Sequence, residues 1–137
     1  MKRYVLDASA VMAFFEDRPG AEAVEELLRK AAETQRFLFM SVINWGEVYY
    51  SIWRTRGEEV ANEKLKQMAQ LPIDIIDVDM PTTKLAATLK AEHKLPYVDC
   101  FAAALAQQRK ATLVTADKDF TQVHKQVNIL WAKEHSG

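Results

Sequence analysis

Arg3-Tyr4-Val5-Leu6-Asp7-Ala8-Ser9-Ala10-Val11-Met12-Ala13-Phe14-Phe15 is the stretch on which the reading of this chain turns. Its first part is a short apolar run rich in strand formers. The run stops at Asp7-Ala8-Ser9, after which Ala10, Val11, Phe14 and Phe15 recur at helical spacing, so the segment reads as strand, tight turn, helix. The same grammar repeats downstream. After Pro19-Gly20, the residues Ala23, Val24, Leu27, Leu28 and Ala31 form the stripe of an amphipathic helix. Phe37 to Met40 is a second strand, closed by Ser41 as N-cap of a helix running to about Arg56. Beyond Gly57, Val60, Leu65, Met68 and Leu71 mark the buried face of a charged helix. Ile73 to Val78 reads as a third strand and Thr82 to His93 as a helix. Pro96 suits the first turn of another helix, through Phe101, Ala104 and Leu105. Ala111 to Thr115 is a fourth strand and Val127 to Leu130 a fifth. Strands alternating with helices, in short continuous apolar runs, predict an α/β fold: a three-layer sandwich with a mostly parallel sheet of four to five strands and helices on both faces.

Composition narrows the function classes. With 137 residues, a chain of this size buries roughly two-thirds of its unfolded surface, so no metal or disulfide staple is needed for folding. Four Gly, four Pro and no low-complexity stretch leave no linker, and residues 1–137 read as one domain. The single cysteine, Cys100, excludes an intrachain disulfide framework and fits a reducing, cytoplasmic location. Asp7 interrupts the N-terminal apolar run, against a secretory signal, and charges break every apolar segment before it reaches membrane-spanning length. Eighteen Lys+Arg against 19 Asp+Glu argue against bulk electrostatic coating of nucleic acid.

In parallel sheets, ligands gather beyond the carboxyl ends of the strands, where the strand order switches. Asp7 ends the first strand there, and Asp117 lies two positions past the fourth. Each has a small hydroxyl two residues away, Ser9 and Thr115. Each also reads as an ordinary turn or capping residue. Glu47 sits on a helix otherwise apolar and aromatic, in a narrow stripe with Asn44, Ser51 and Arg54. That stripe either faces solvent or lines a polar pocket at the sheet edge. Asp99 falls in the first turn of its helix, where the dipole stabilises a negative charge by ~0.3–1 kcal/mol. If the four acids converge at ~5 Å, each charged pair repels by roughly 3 kcal/mol at an effective dielectric of ~20, and the site needs a cation. Oxygen ligands without a His or Cys cluster favour Mg²⁺ or Mn²⁺. His93, His124 and His135 show no zinc spacing and read as surface residues, and Cys100 as a small buried one.

Taken in order, YVLDASAVMAFF (4–15), SVINWGEVYYSI (41–52), LPYVDCFAAALA (95–106) and ATLVTADKDF (111–120) resemble the PIN-domain ribonucleases, and within them the VapC-type toxins of toxin–antitoxin pairs. The resemblance spans nearly the whole chain. It implies a Mg²⁺-dependent endoribonuclease, Mn²⁺ being a second candidate ion, with Asp7, Glu47, Asp99 and Asp117 as catalytic metal-binding acids. Ser9 and Thr115 match hydroxyl positions around the metal site, and Asn44 is a supporting candidate. Asp119 is either a fifth acid or the cap of the short helix at Phe120-Thr121. Arg54, Arg56, Lys94 and Lys118 are candidate phosphate contacts for RNA, each also readable as a solvated charge. Tyr49, Tyr50, Trp53 and Tyr97 are either stacking platforms for bases or packing residues. The resemblance further implies a cognate VapB-like antitoxin and a homodimer, and no membrane partner. Two other readings stand beside the toxin: a PIN nuclease of RNA processing, and a non-catalytic module that binds RNA or a partner. A small antitoxin reading frame directly upstream would separate the toxin from the processing enzyme. Four mutually repelling acids count against the non-catalytic module.

Overall fold

The computed structural model describes residues 2–34 and 37–133; His135 lies outside the described residues. In chain order the elements are β1 (Tyr4–Leu6), α1 (Ala8–Phe15), α2 (Ala21–Glu33), β2 (Leu38–Ser41), α3 (Val42–Arg56), α4 (Glu58–Ala69), β3 (Ile73–Ile76), α5 (Met80–Glu92), α6 (Tyr97–Arg109), β4 (Thr112–Thr115), a 3₁₀ helix (Lys118–Val123) and β5 (Ile129–Trp131). The five strands lie in the order β3-β2-β1-β4-β5, and every pairing is parallel. The chain winds outward from β1 through β2 to β3, then returns to lay β4 on the other side of β1. The switch in strand order therefore falls between β1 and β4.

Alternation along the central strands separates two cores. Leu6, Leu38, Met40 and Val114 point to the face covered by α1 to α4, where they meet Val11, Val24, Leu28, Val48, Ile52 and Met68. Val5 and Leu113 point to the opposite face and meet Ala86, Leu89, Phe101, Leu105, Phe120 and Val123. Both faces of β1 are buried, which is why its sequence is continuously apolar instead of alternating. The run Ala102-Ala103-Ala104 is fully buried, and its small side chains let α6 approach β1, β2 and β4 closely. Among the described residues no helix is long and apolar enough to cross a membrane.

Caps set several boundaries. The Ser41 hydroxyl accepts from the Ile43 amide at 3.2 Å and starts α3 as the sequence suggests, and α3 ends at Gly57, whose φ is 94°. Helix α5 starts at Met80, earlier than the expected Thr82. There the Asp79 carboxylate accepts from the Thr82 amide at 2.9 Å and its hydroxyl at 2.7 Å, with a proline in the first turn. That cap also shortens β3, which ends at Ile76 and not at Val78.

Gly20 is held at φ 96°, and a Cβ there would overlap the Ala132 carbonyl, where the chain leaves β5. Left-handed backbone costs an L-residue roughly 1–2 kcal/mol and overpacking a further 1–3. Gly20→Ala is therefore expected to lower stability by ~3 kcal/mol, roughly 10 °C in Tm for a chain of this size. Gly46, inside α3, supplies the contrast, because a Cβ added there would meet nothing within 4 Å. Gly46→Ala should leave Tm unchanged or raise it. Thermal unfolding of the two variants checks this, and equal effects would refute the packing argument.

Candidate functional site

Four separate elements deliver acids to the carboxyl edge of the sheet. Asp7 follows β1 directly and doubles as the N-cap of α1, its Oδ1 accepting from the Ala10 amide at 2.9 Å. Asp117 lies two residues beyond β4 and caps the 3₁₀ helix by accepting from the Asp119 amide at 2.9 Å. The cap of that helix is thus Asp117; Asp119 sits exposed in its first turn. Phe120 and Val123, both fully buried, pin this turn to the core. Glu47 lies in the second turn of α3 and is half-buried, and Asp99 lies in the first turn of α6 at 7 % exposure.

Asp7 is 2 % exposed and sits in a closed set of donors. The Ser9 hydroxyl reaches both of its oxygens, at 2.8 and 3.0 Å, and the Thr115 hydroxyl reaches Oδ2 at 2.6 Å. Both hydroxyls are held from behind by backbone amides: Ala116 donates to Ser9 at 2.9 Å and Asp117 to Thr115 at 3.0 Å. Each hydroxyl has one proton and donates it to Asp7 while accepting from the β4 turn. Ser9 and Thr115 therefore orient Asp7 and lock the end of β1 to the end of β4. Oδ1 accepts from Ala10 and Ser9, and Oδ2 from Ser9 and Thr115, so the donors around Asp7 come from α1 and the end of β4.

Electrostatics tie the acids into one group. Burial pushes the Asp7 carboxyl up to about 6 against the pull of its hydrogen bonds, with Glu47 adding repulsion. Asp99 is raised to about 7, first by burial and then by Glu47, Asp117, Asp7 and Asp119. Glu47 is raised by burial and by Asp117, countered by hydrogen bonding from Asn44. Among the described residues no lysine or arginine forms an ion pair with any of these acids. Nor do three acidic, His or Cys side chains among them stand close enough to form a finished metal cage. The acids come from four elements and keep the spacing of coupled charges, not that of shared ligands. An all-oxygen donor set, partly desolvated and without a compensating cation, nevertheless fits a hard divalent ion such as Mg²⁺ or Mn²⁺.

The polar stripe of α3 is graded instead of facing one way. Asn44 is fully buried, Glu47 and Ser51 are half-buried, and Arg54 is exposed. The structure does not bring the basic candidates onto the acids: Arg54, Arg56, Lys94 and Lys118 are exposed, and the Arg54 guanidinium lies 5.7 Å from the centre of the Tyr50 ring. Tyr50, Trp53 and Tyr97 are exposed, whereas Tyr49 packs between Trp45 and Trp53 and donates to Asn62 at 3.0 Å. The expectation that the histidines are surface residues holds for His124; His93 is half-buried, with Nε2 shielded from solvent. Cys100 is fully buried and burial pushes its thiol up, which suits packing and not nucleophilic attack. The amides of Ala10, Ala116 and Asp117, and the Val98 carbonyl that accepts from Asn44, escape a reading by side-chain type because they are backbone groups.

The family model described as the PIN domain matches residues 4–126. Among solved structures, the chain is similar to DNA-bound VapBC from Salmonella typhimurium, with TM-score 0.73, 14 % identity, and 96 % of this chain and 99 % of that one covered. It is also similar to VapBC2 from Rickettsia felis bound to a promoter DNA fragment, with TM-score 0.73, 21 % identity, and 93 % and 97 % covered. A third is VapC20 from Mycobacterium tuberculosis, described as a Sarcin-Ricin loop cleaving toxin, with TM-score 0.69, 14 % identity, and 88 % and 94 % covered. A search of curated proteins finds no match to the sequence.

Proposed function

Because this chain belongs to the PIN-domain family, we propose that it is a Mg²⁺-dependent endoribonuclease, the toxin of a VapBC-type pair restrained by a cognate antitoxin. The observation that carries the reading is the group of buried, mutually repelling acids at the β1/β4 switch, with no protein cation among the described residues to neutralise it. The toxin role draws on the similarity to VapBC and VapC structures, one of them described as a Sarcin-Ricin loop cleaving toxin.

In this reading Asp7 and Asp117 would hold the ion, with Glu47 and Asp99 completing its shell directly or through water. Bound there, Mg²⁺ supplies charge stabilisation at the phosphodiester and lowers the pKa of the attacking water. The chain's own work is positioning. Ser9 and Thr115 orient Asp7, and burial raises the proton affinity of Asp99 and Glu47, so that a bound cation would favour their ionised forms. Attack by water leaves a 5′ phosphate and makes no use of the ribose 2′ hydroxyl. Exposed Arg54, Arg56, Lys94 and Lys118 are the candidates for phosphate contacts.

The test is cleavage of a mixed RNA pool by antitoxin-free protein, with Mg²⁺ or Mn²⁺ against EDTA. Cuts with 5′ phosphate ends that vanish in EDTA support the proposal; cyclic phosphate ends, or cleavage that survives EDTA, would overturn it. A second prediction concerns the orienting hydroxyl. Thr115→Val removes the proton that Asp7 receives and the acceptor that the Asp117 amide uses. It is expected to lower metal-dependent cleavage by ~10–100-fold, as loss of a supporting hydrogen bond typically does, while Thr115→Ser retains near-normal activity. Steady-state rates for the pair check it.

A further inference from the structure

The amino end of the sheet carries a cleft that the acidic site does not use. Its volume is about 600 Å³, and it lies where α6 ends, β4 begins and the chain enters β5. Leu85 and Val127 give it an apolar part; the rest is four Gln and Asn side chains and two exposed lysines, Lys110 and Lys125. No carboxylate lines it, and among the described residues neither lysine forms an ion pair. Asp79, the cap of α5, is committed to Thr82, whose hydroxyl lies 2.6 Å from Gln108 Oε1 and so fixes one of the cleft's amides.

Lys110 stands there at a cost. Helix α6 closes with two bonds, from the Ala111 amide to the Ala106 carbonyl at 2.9 Å and from the Lys110 amide to the Gln107 carbonyl at 3.2 Å. They hold Lys110 in the left-handed region, at φ 51° and ψ 46°. Glycine is the usual residue at this closing position, because it has no Cβ to strain. A lysine gains something from the helix dipole, but less than left-handed backbone costs an L-residue. Strain kept at an exposed, cationic side chain points to a use for that side chain at the surface. Two ammonium groups among amides form a positive cleft rich in hydrogen-bond donors, the chemistry that recognises a phosphodiester and its flanking sugar or base.

We propose that this cleft is a second contact for the substrate RNA, in which Lys110 and Lys125 neutralise backbone phosphates while the amides bond neighbouring sugars or bases. The inference rests on the ribonuclease reading above and adds to it a hold on the RNA away from the acids. Lys110 precedes β4 and Asp117 follows it seven positions on, so at ~3.3 Å per residue the two stand at most about 23 Å apart along the strand. An RNA that reaches both is several nucleotides long.

The experiment is anisotropy of a fluorescein-labelled single-stranded RNA of about 16 nucleotides, titrated with the full chain in EDTA over a series of KCl concentrations. EDTA silences metal-dependent cleavage, so binding is read apart from catalysis. Lys110→Gln/Lys125→Gln is expected to weaken binding ~10–30-fold near 0.1 M salt and to reduce the slope of log K against log salt by ~1.4, as loss of two phosphate contacts requires. Lys30→Gln/Lys66→Gln makes the same change in net charge on α2 and α4, over the opposite face of the sheet, and should keep the wild-type slope. Lys110→Gly is expected to raise Tm by about 3 °C while weakening binding ~5-fold, opposite signs that a lysine kept for stability would not give. An unchanged slope in Lys110→Gln/Lys125→Gln, an equal loss in the control pair, or no RNA binding by wild type overturns the inference. Cleavage of the mixed RNA pool in Mg²⁺ reads the ribonuclease proposal separately, so the two can fail independently.

Discussion

Asp7→Asn is expected to abolish metal-dependent RNA cleavage, by roughly three orders of magnitude or more in kcat/KM, while the protein remains folded. The size follows from charge: loss of an anionic ligand removes several kcal/mol of metal-mediated transition-state stabilisation, and each 1.36 kcal/mol is tenfold in rate. Persistence of the fold follows from the surroundings of Asp7. At 2 % exposure, its ionised form is the one that burial disfavours. Asparagine retains an acceptor oxygen for the Ala10 amide and Ser9, so the cap of α1 survives. The Nδ2 that replaces Oδ2 meets the Thr115 hydroxyl as a donor, and that hydroxyl turns to accept. Cleavage rates and thermal unfolding on the same preparation give the answer. Activity within tenfold of wild type would remove Asp7 from the catalytic group and with it the proposed mechanism.

The second large effect is on stability in the absence of divalent ions. Asp7 and Asp99 are raised from the ordinary 3.8 to about 6 and about 7, so the folded chain holds their protons more tightly than the unfolded chain does. Their contribution is therefore neutral at pH below about 4 and becomes destabilising as pH climbs, levelling off once each group has ionised in the folded state. For Asp7 alone the change amounts to ~3 kcal/mol, roughly 10 °C in Tm, complete above about pH 6, and the Asp99 change extends the window to about pH 7. Thermal unfolding from pH 4 to 8 in EDTA, with Asp7→Asn subtracted from wild type, isolates the Asp7 part. Mg²⁺ at 100 times its Kd should restore ~2.7 kcal/mol at pH 7.5. A difference curve that is flat, or that rises with pH, would mean Asp7 is not held against its burial.

Local grammar was legible in the sequence where one segment determines the outcome. Tyr4 to Phe15 reads as strand, turn and helix because the apolar run, the capping Asp7 and the change of period all lie within a few residues. Ser41 and Gly57 bound α3 for the same reason. What depends on residues far apart was harder to read. Nothing in the stretch around Thr115 says that its hydroxyl meets Asp7 across the β1/β4 seam, because that contact exists only after parallel pairing. Asp117 and Asp119 are equally plausible caps by composition, and the choice is made by the buried Phe120, which sets where the 3₁₀ turn begins. The stripe Asn44, Glu47, Ser51, Arg54 could be placed on one side of α3 but not given a depth. Its burial comes from the approach of α6, a partner more than fifty residues later.

The seam between β1 and β4 also governs the order in which the chain becomes complete. Asp7 is synthesised well before Thr115, which holds it, and Asp117, which follow 108 and 110 positions later. A ribosome that has extruded the chain only through α6 presents three of the acids, without the strand that docks the fourth. Parallel strands so distant in sequence pair late, after the loop between them has been ordered. The nascent protein thus carries its charge before it carries its geometry, and competence waits for β4.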